Sequence, residues 1–179
     1  VSRYLKTVRP GVITVFIGPC IAKKSETLDL NIKDNADYAM TFGEMRAMLR
    51  AKDITLEPED NSYQESSVFG KRFGNGGGVS AAVLECFKEM GEDIEPKVAK
   101  CSGGAECKKA LLLLKVGKLP EDFIEGMACV GGCVGGPSKH KAETEAKKDR
   151  DALIASADGR KVLENLKKYP MDQFSMHRH

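Results

Sequence analysis

Apolar positions along the chain gather in short blocks parted by charged stretches, and the blocks alternate between a strand-like and a helix-like period. Gly11-Val12-Ile13-Thr14-Val15-Phe16-Ile17 is β-branched and apolar at both parities, the pattern of a strand buried on both faces of a parallel sheet. It runs into Gly18-Pro19-Cys20, where glycine and proline stop it. Ile21 to Leu28 predicts a short helix and Asp37-Tyr38-Ala39-Met40 a second strand. Thr41 is a good N-cap for a helix from Phe42 to Lys52, because Glu44 stands three residues on and completes a capping box. At the start, Val1-Ser2-Arg3-Tyr4-Leu5-Lys6 reads like the tail of a helix. With no Met at position 1, the chain is expected to be a piece of a longer polypeptide.

Residues 53 to 78 are polar and then glycine-rich with no clear period, which predicts an irregular connection. Val79 to Met90 follows as a helix and Lys97-Val98-Ala99-Lys100 as a strand. Ala105 to Lys115 predicts a helix stopped by Gly117 and Pro120, and Phe123 to Ala128 a further strand entering a glycine-rich turn. From Ser138 to Ala155 charges recur at helical spacing, as on a solvated face, and Gly159 to Lys168 forms a second short helix that ends before Tyr169-Pro170. Strand and helix alternate without an internal repeat. The predicted fold class is therefore α/β, with a mainly parallel sheet flanked by helices.

Length and charge narrow the function classes. The 179 residues make one domain or one lobe of a larger one, and at that size about 70% of the unfolded chain's surface can be buried. The six cysteines are then not needed as staples. With 28 Lys+Arg against 26 Asp+Glu and 6% aromatic residues, the chain offers neither the field nor the stacking platforms for nucleic acid. The longest apolar runs, Val12 to Ile17 and Ala110 to Leu114, fall far short of the roughly 20 residues that span a bilayer, so no membrane partner is expected. The N-terminus lacks a secretory pattern, and moderate cysteine use in a Lys/Glu-rich chain points to a reducing cytoplasm with thiols left for ligation or catalysis.

The chemistry concentrates where strands are predicted to end. Cys20 follows the first strand, and Cys129 and Cys133 sit in Met127-Ala128-Cys129-Val130-Gly131-Gly132-Cys133-Val134-Gly135-Gly136-Pro137. Ligands of open α/β sheets bind beyond the carboxyl ends of strands, so two strands are expected to deliver three thiols to one crevice. Two thiolates four residues apart with a Gly-Gly pair between them suit a bulky inorganic cluster, since glycine lets the backbone approach and offer N–H groups to cluster sulfurs. Cysteines that act only as small buried hydrophobes are the plainer alternative. Zinc is another, although Cys101 and Cys107 are six apart and the only histidines are His140, His177 and His179.

Other motifs carry less. Cys86 lies beside Val83, Leu84 and Phe87 and reads as a structural thiol. Cys101 and Cys107 flank a strand-to-helix turn, with a functional role left open and a disulfide disfavoured by a reducing compartment. Gly74 and Gly76 begin a dinucleotide fingerprint, but its third glycine falls on Val79 and no strand precedes it. Lys139-His140-Lys141 and Lys147-Lys148 read as a solvated face that could help dock an acidic electron carrier.

Gly18-Pro19-Cys20-Ile21-Ala22-Lys23-Lys24-Ser25-Glu26 is similar to the second signature of iron-only (diiron) hydrogenases, and Met127 to Pro137 resembles the third. Phe73-Gly74-Asn75-Gly76-Gly77-Gly78-Val79 and the closing Phe174-Ser175-Met176-His177 also resemble that family, so the likeness spans nearly the whole chain. The resemblance implies that residues 1–179 are the C-terminal portion of a hydrogenase-type cluster domain, one lobe of a two-lobed fold. It implies a 4Fe-4S cubane joined through one cysteine to a diiron unit bearing carbonyl, cyanide and azadithiolate ligands. Cys20 and Cys129 would hold the cubane and Cys133 would be the bridging thiolate. Lys23 would point its ammonium at a cyanide nitrogen, Glu26 would lie near that lysine, and Met127 would line the pocket beside the diiron unit. Partners implied are a ferredoxin-type electron carrier or fused iron–sulfur domains, and maturation proteins.

The chain also departs from the family pattern. The first signature, a Thr-Ser-Cys-Cys-Pro stretch, is absent from these residues, so this chain alone is expected to hold no cluster and evolve no hydrogen. Gly18 stands where fast hydrogenases have Met, Val130 where they have Pro, and Gly135-Gly136-Pro137 replaces a longer stretch. A divergent branch is implied, with a non-catalytic hydrogen or redox sensor, or an iron–sulfur assembly protein, as the alternative function.

Overall fold

A computed structural model describes residues 1–57 and 66–169. The closing motif at 174–177 and residues 58–65 of the glycine-rich connection lie outside the described residues. The chain divides into two compact units, one of residues 1–60 with 137–140 and 170–179, the other of residues 61–136 with 141–169.

The first unit comprises α1 (Ser2–Val8), β1 (Val15–Gly18), α2 (Ala22–Thr27), β2 (Tyr38–Thr41) and α3 (Phe42–Ala51). β1 and β2 pair in parallel, with Val15 opposite Tyr38 and Gly18 opposite Thr41. Their starts are tied by one carboxylate. Asp37 accepts hydrogen bonds from the Thr14 N–H at 2.7 Å, the Thr14 hydroxyl at 2.9 Å and the Lys6 ammonium at 2.8 Å. α3 has the expected capping box: Thr41 Oγ1 accepts from the Glu44 N–H at 3.3 Å while Glu44 Oε2 accepts from the Thr41 N–H at 2.8 Å. The first strand departs from expectation. It begins four residues later than predicted, and Val15 and Ile17 are 43% and 42% exposed. The apolar run predicts burial on both faces, but Val15 and Ile17 share one face that solvent reaches.

The second unit comprises α4 (Val68–Lys71), a 3₁₀ turn (Arg72–Gly74), α5 (Gly78–Met90), β3 (Val98–Ser102), α6 (Gly104–Lys115), β4 (Phe123–Met127), a 3₁₀ turn (Cys133–Gly135), α7 (Glu143–Ala155) and α8 (Val162–Leu166). β3, α6 and β4 form a crossover unit, because parallel strands need such a connection; Val98 stands opposite Phe123 and Ser102 opposite Met127. Among the described residues of this unit, Ala82, Cys101 and Ala110 are the buried apolar side chains, and Ser67, Ser80 and Glu125 are buried as well.

The α/β class with parallel strands and flanking helices is as expected, built among the described residues as two two-stranded sheets. The connection expected to be irregular contains α4, whose single turn is started by Ser67, Oγ accepting from the Gly70 N–H at 3.3 Å. Four residues are too few to show a helical period. The helix expected from Ser138 begins at Glu143, and the last one is confined to Val162–Leu166. Glu89 caps it, accepting from the Val162 and Leu163 N–H groups at 2.7 and 3.0 Å.

Candidate metal centre

Cys20 lies between β1 and α2 in the first unit, half-buried, immediately after the cis-free Gly18-Pro19 step, and the Pro19 carbonyl accepts from the Ser138 N–H at 3.2 Å. Within α2, Lys23 and Glu26 form an ion pair. The Lys23 ammonium also stands 5.9 Å from the centroid of the Phe16 ring, within cation–π range. That ring occupies the space above Gly18, where an added Cβ would come within 2.9 Å of it. Glycine at this position, a departure from the family pattern, makes room for Phe16 beneath Lys23. Lys24, which solvent reaches, pairs with the capping-box carboxylate of Glu44 at 2.5 Å, and the Lys24 ammonium is the first cause, with Thr41 second, of a Glu44 pKa held at about 2.

Cys129 and Cys133 share one loop of the second unit. Cys129 stands two residues beyond β4 and is half-buried; Cys133 opens the 3₁₀ turn and is exposed. The loop is shaped by glycine at two successive positions, Gly131 at φ +79° and Gly132 at φ +84°, a conformation that L side chains rarely adopt. A Cβ on Gly132 would overlap the Gly74 carbonyl, and one on Gly135 would overlap the Val130 carbonyl. Gly74 packs directly on Cys133, its missing Cβ 3.7 Å from Cys133 Cβ and 3.9 Å from Sγ. The two glycine-rich motifs of the sequence are thus two sides of one backbone-on-backbone contact.

The loop's amides are used differently from expectation. The Gly131 N–H donates to the Ser102 hydroxyl at 3.1 Å and the Gly132 N–H to the Cys129 carbonyl at 3.1 Å. The Gly135 and Gly136 N–H groups donate to the Gly132 and Cys133 carbonyls at 3.0 and 2.9 Å. The last three amides shape the loop from within and the first ties it to the end of β3, while its glycines serve close approach and positive φ. Met127 ends β4, half-buried, with its carbonyl accepting from the Gly103 N–H at 2.7 Å and facing the Cys107 thiol at 3.7 Å. Cys107 Sγ lies over Gly126, 3.0 Å from where a Cβ would stand, and Gly126 is the strand partner of Cys101. Burial, then the neighbouring Cys107, raises the Cys101 pKa.

Sequence reading missed Glu125, Ser102 and Gly103. Glu125 is 6% exposed and accepts from the Gly77, Val79 and Ser80 N–H groups at 3.0, 3.2 and 3.0 Å. Burial alone would raise its pKa, but the hydrogen bonds from Ser80, Val79 and Gly77 outweigh that and lower it. A lone carboxylate inside the apolar run Phe123-Ile124-Glu125-Gly126-Met127 was the available signal. No disulfide joins any of the six cysteines, all of them among the described residues. Among those residues, no three His, Cys, Asp or Glu side chains form a group that could hold a metal ion.

Residues 1–137 match the family model of the iron-only hydrogenase large subunit, C-terminal domain, and the chain belongs to that family. It is 31% identical over 160 residues to the periplasmic Fe hydrogenase large subunit of Nitratidesulfovibrio vulgaris, covering 70% of this chain and 38% of that protein. It is 25% identical over 201 residues to a probable cytosolic Fe-S cluster assembly factor of Brugia malayi, covering 90% and 45%, and 27% identical over 189 residues to iron hydrogenase 1 of Clostridium pasteurianum, covering 83% and 33%. The chain thus spans less than half the length of these relatives. Among solved structures, the FeFe-hydrogenase HydA(deltaEFG) superposes with a TM-score of 0.65 at 18% identity, covering 99% of this chain and 63% of that one. A variant of HydA1 from Chlamydomonas reinhardtii gives 0.63 at 18%, with the same coverage. At that identity the likeness establishes the fold. No helix among the described residues is long and apolar enough to cross a membrane.

Proposed function

We propose that the chain is the ligand-bearing part of an iron-only hydrogenase in which Cys20, Cys129 and Cys133 are thiolate ligands of an iron–sulfur centre. The observation that carries this is the Cys129–Cys133 loop, in which Gly132 and Gly135 leave no room for a Cβ and Gly74 packs on the second cysteine. The donor set fits the group in kind, since iron–sulfur clusters take cysteine thiolates, four to a cubane. Cys20 and Cys129 would hold the cubane, and Cys133 would link it to a diiron unit with carbonyl, cyanide and azadithiolate ligands. When bound, that group supplies the bond chemistry that interconverts protons plus electrons and dihydrogen. The residues of this chain do the rest. Lys23, oriented by Glu26, would donate a charge-assisted hydrogen bond to a cyanide nitrogen, and Met127 would keep water from the diiron unit. Electrons would come from a ferredoxin-type carrier or fused iron–sulfur domains, and maturation proteins would supply the diiron unit in the cytoplasm.

The test is made on the full-length protein, matured anaerobically. Wild type is expected to show carbonyl and cyanide infrared bands and hydrogen evolution, with Cys133→Ser losing the bands and keeping the cubane's electron paramagnetic resonance. Lys23→Ala should lose most band intensity while Lys24→Ala keeps it. Bands that survive Cys133→Ser, or that are equal in the two lysine variants, refute the assignment. The Brugia malayi relative favours one other reading, an iron–sulfur assembly role; a cubane signal with no infrared bands and no turnover would select it. Bands with little turnover would select a hydrogen or redox sensor.

A further inference from the structure

We infer that Glu125 is a positioning residue for the Cys129–Cys133 loop, acting through the Gly74–Ser80 turn on which that loop packs. The inference rests on the reading of these cysteines as ligands. Helix α5 begins without a cap of its own: its N-cap is Gly77 at φ +87°, with no side chain to accept from the first amides. A serine or aspartate there would have closed the helix locally. The acceptor comes instead from β4, 48 residues away, as both oxygens of Glu125: Oε1 takes the Gly77 and Val79 N–H groups, Oε2 the Ser80 N–H. A carboxylate buried to this degree is costly unless each oxygen is satisfied, and here each is.

The same short strand leads, four residues later, to Cys129. The turn that Glu125 holds carries Gly74, whose carbonyl blocks any side chain on Gly132 and whose Cα faces Cys133. The turn has no slack of its own, because a Cβ on Gly78 would overlap the Arg72 carbonyl. Glu125 therefore fixes the wall behind Cys133 to the strand that delivers Cys129, and so sets the spacing of the two thiols. A cap supplied from within the turn would stabilise α5 equally and leave that spacing free.

The test uses Glu125→Gln and Glu125→Asp in the full-length protein. Gln keeps the size but turns an NH₂ toward backbone donors; Asp keeps the charge but falls short of the turn. Backbone hydrogen exchange in the metal-free protein is expected to quicken roughly tenfold or more over residues 74–80 and 129–136 in Glu125→Gln, less in Glu125→Asp, and not at all over residues 15–27. After iron and sulfide reconstitution, the cubane's electron paramagnetic resonance lines should broaden in the same order. Faster exchange confined to 74–80 overturns the inference, as does uniform acceleration through the chain. Should Glu125→Gln not fold, Glu125→Asp decides on the same criteria. If wild type takes up no iron, the ligand reading fails while the exchange result still judges the positioning role.

Discussion

Cys20 leaves a strand whose surroundings are held by charged side chains, whereas Cys129 and Cys133 sit in a loop held by backbone packed on backbone. Around Cys20, Asp37 ties β1 to β2, Glu44 caps α3 and pairs with Lys24, and Glu26 pairs with Lys23. All of these are reached by solvent in part. Around Cys133, Gly132 and Gly135 approach carbonyls that no Cβ could approach, Gly131 lies against the Glu143–Lys147 ion pair, and Glu125 behind the neighbouring turn is buried. Exposed pairs adjust at little cost, while close-packed backbone cannot. Under the proposed function, a lysine that would meet a ligand suits the first kind of setting, and two thiols that would keep a fixed spacing suit the second.

The contrast can be broken most sharply at Gly132. Gly132→Ala forces a left-handed residue and a clash with the Gly74 carbonyl, and should lower stability by about 3 kcal/mol, read as a fall in the urea midpoint. An unchanged midpoint would mean the loop is not locked as described. Gly18→Ala is the matched change in the first unit. There the added methyl meets the end of the Phe16 ring, which can rotate away, so the expected loss is about 1 kcal/mol. A loss equal to that at Gly132 would erase the distinction.

Acid titration probes the charged unit by itself. The Lys6 ammonium first, then the Thr14 N–H and hydroxyl, hold the Asp37 pKa at about 2, below its ordinary 3.8. A depressed folded-state value means that the stabilisation is complete above the ordinary value and is lost as pH falls through the lower one. The melting temperature of Asp37→Asn should therefore lie below wild type at neutral pH and converge with it near pH 2, a gap that persists in acid being the contrary result. The smallest effect is expected from Lys24→Ala. Its pair with Glu44 is nearly half exposed on both sides, so the fall in melting temperature should be slight and should shrink further in high salt. A larger, salt-independent loss would place Lys24 in a tighter role than its surroundings suggest.

The amino-acid sequence by itself determined the features that depend on residues close together along the chain. Thr41 and Glu44, three apart, dictate the start of α3, the apolar period of Ala105 to Lys115 dictates α6, and the cysteine motifs mark the family before any fold is known. Tertiary structure alone decided what depends on which distant segment arrives alongside. It left the Val15–Ile17 face of β1 open to solvent. It set Gly132 against Gly74 and brought Glu125 to the amides of Gly77, Val79 and Ser80. A lone glutamate in a strand and a glycine before a helix each leave a polar group without a local partner. Burial demands that such groups be satisfied but does not say by whom, and across 48 residues only the path of the chain supplies the answer.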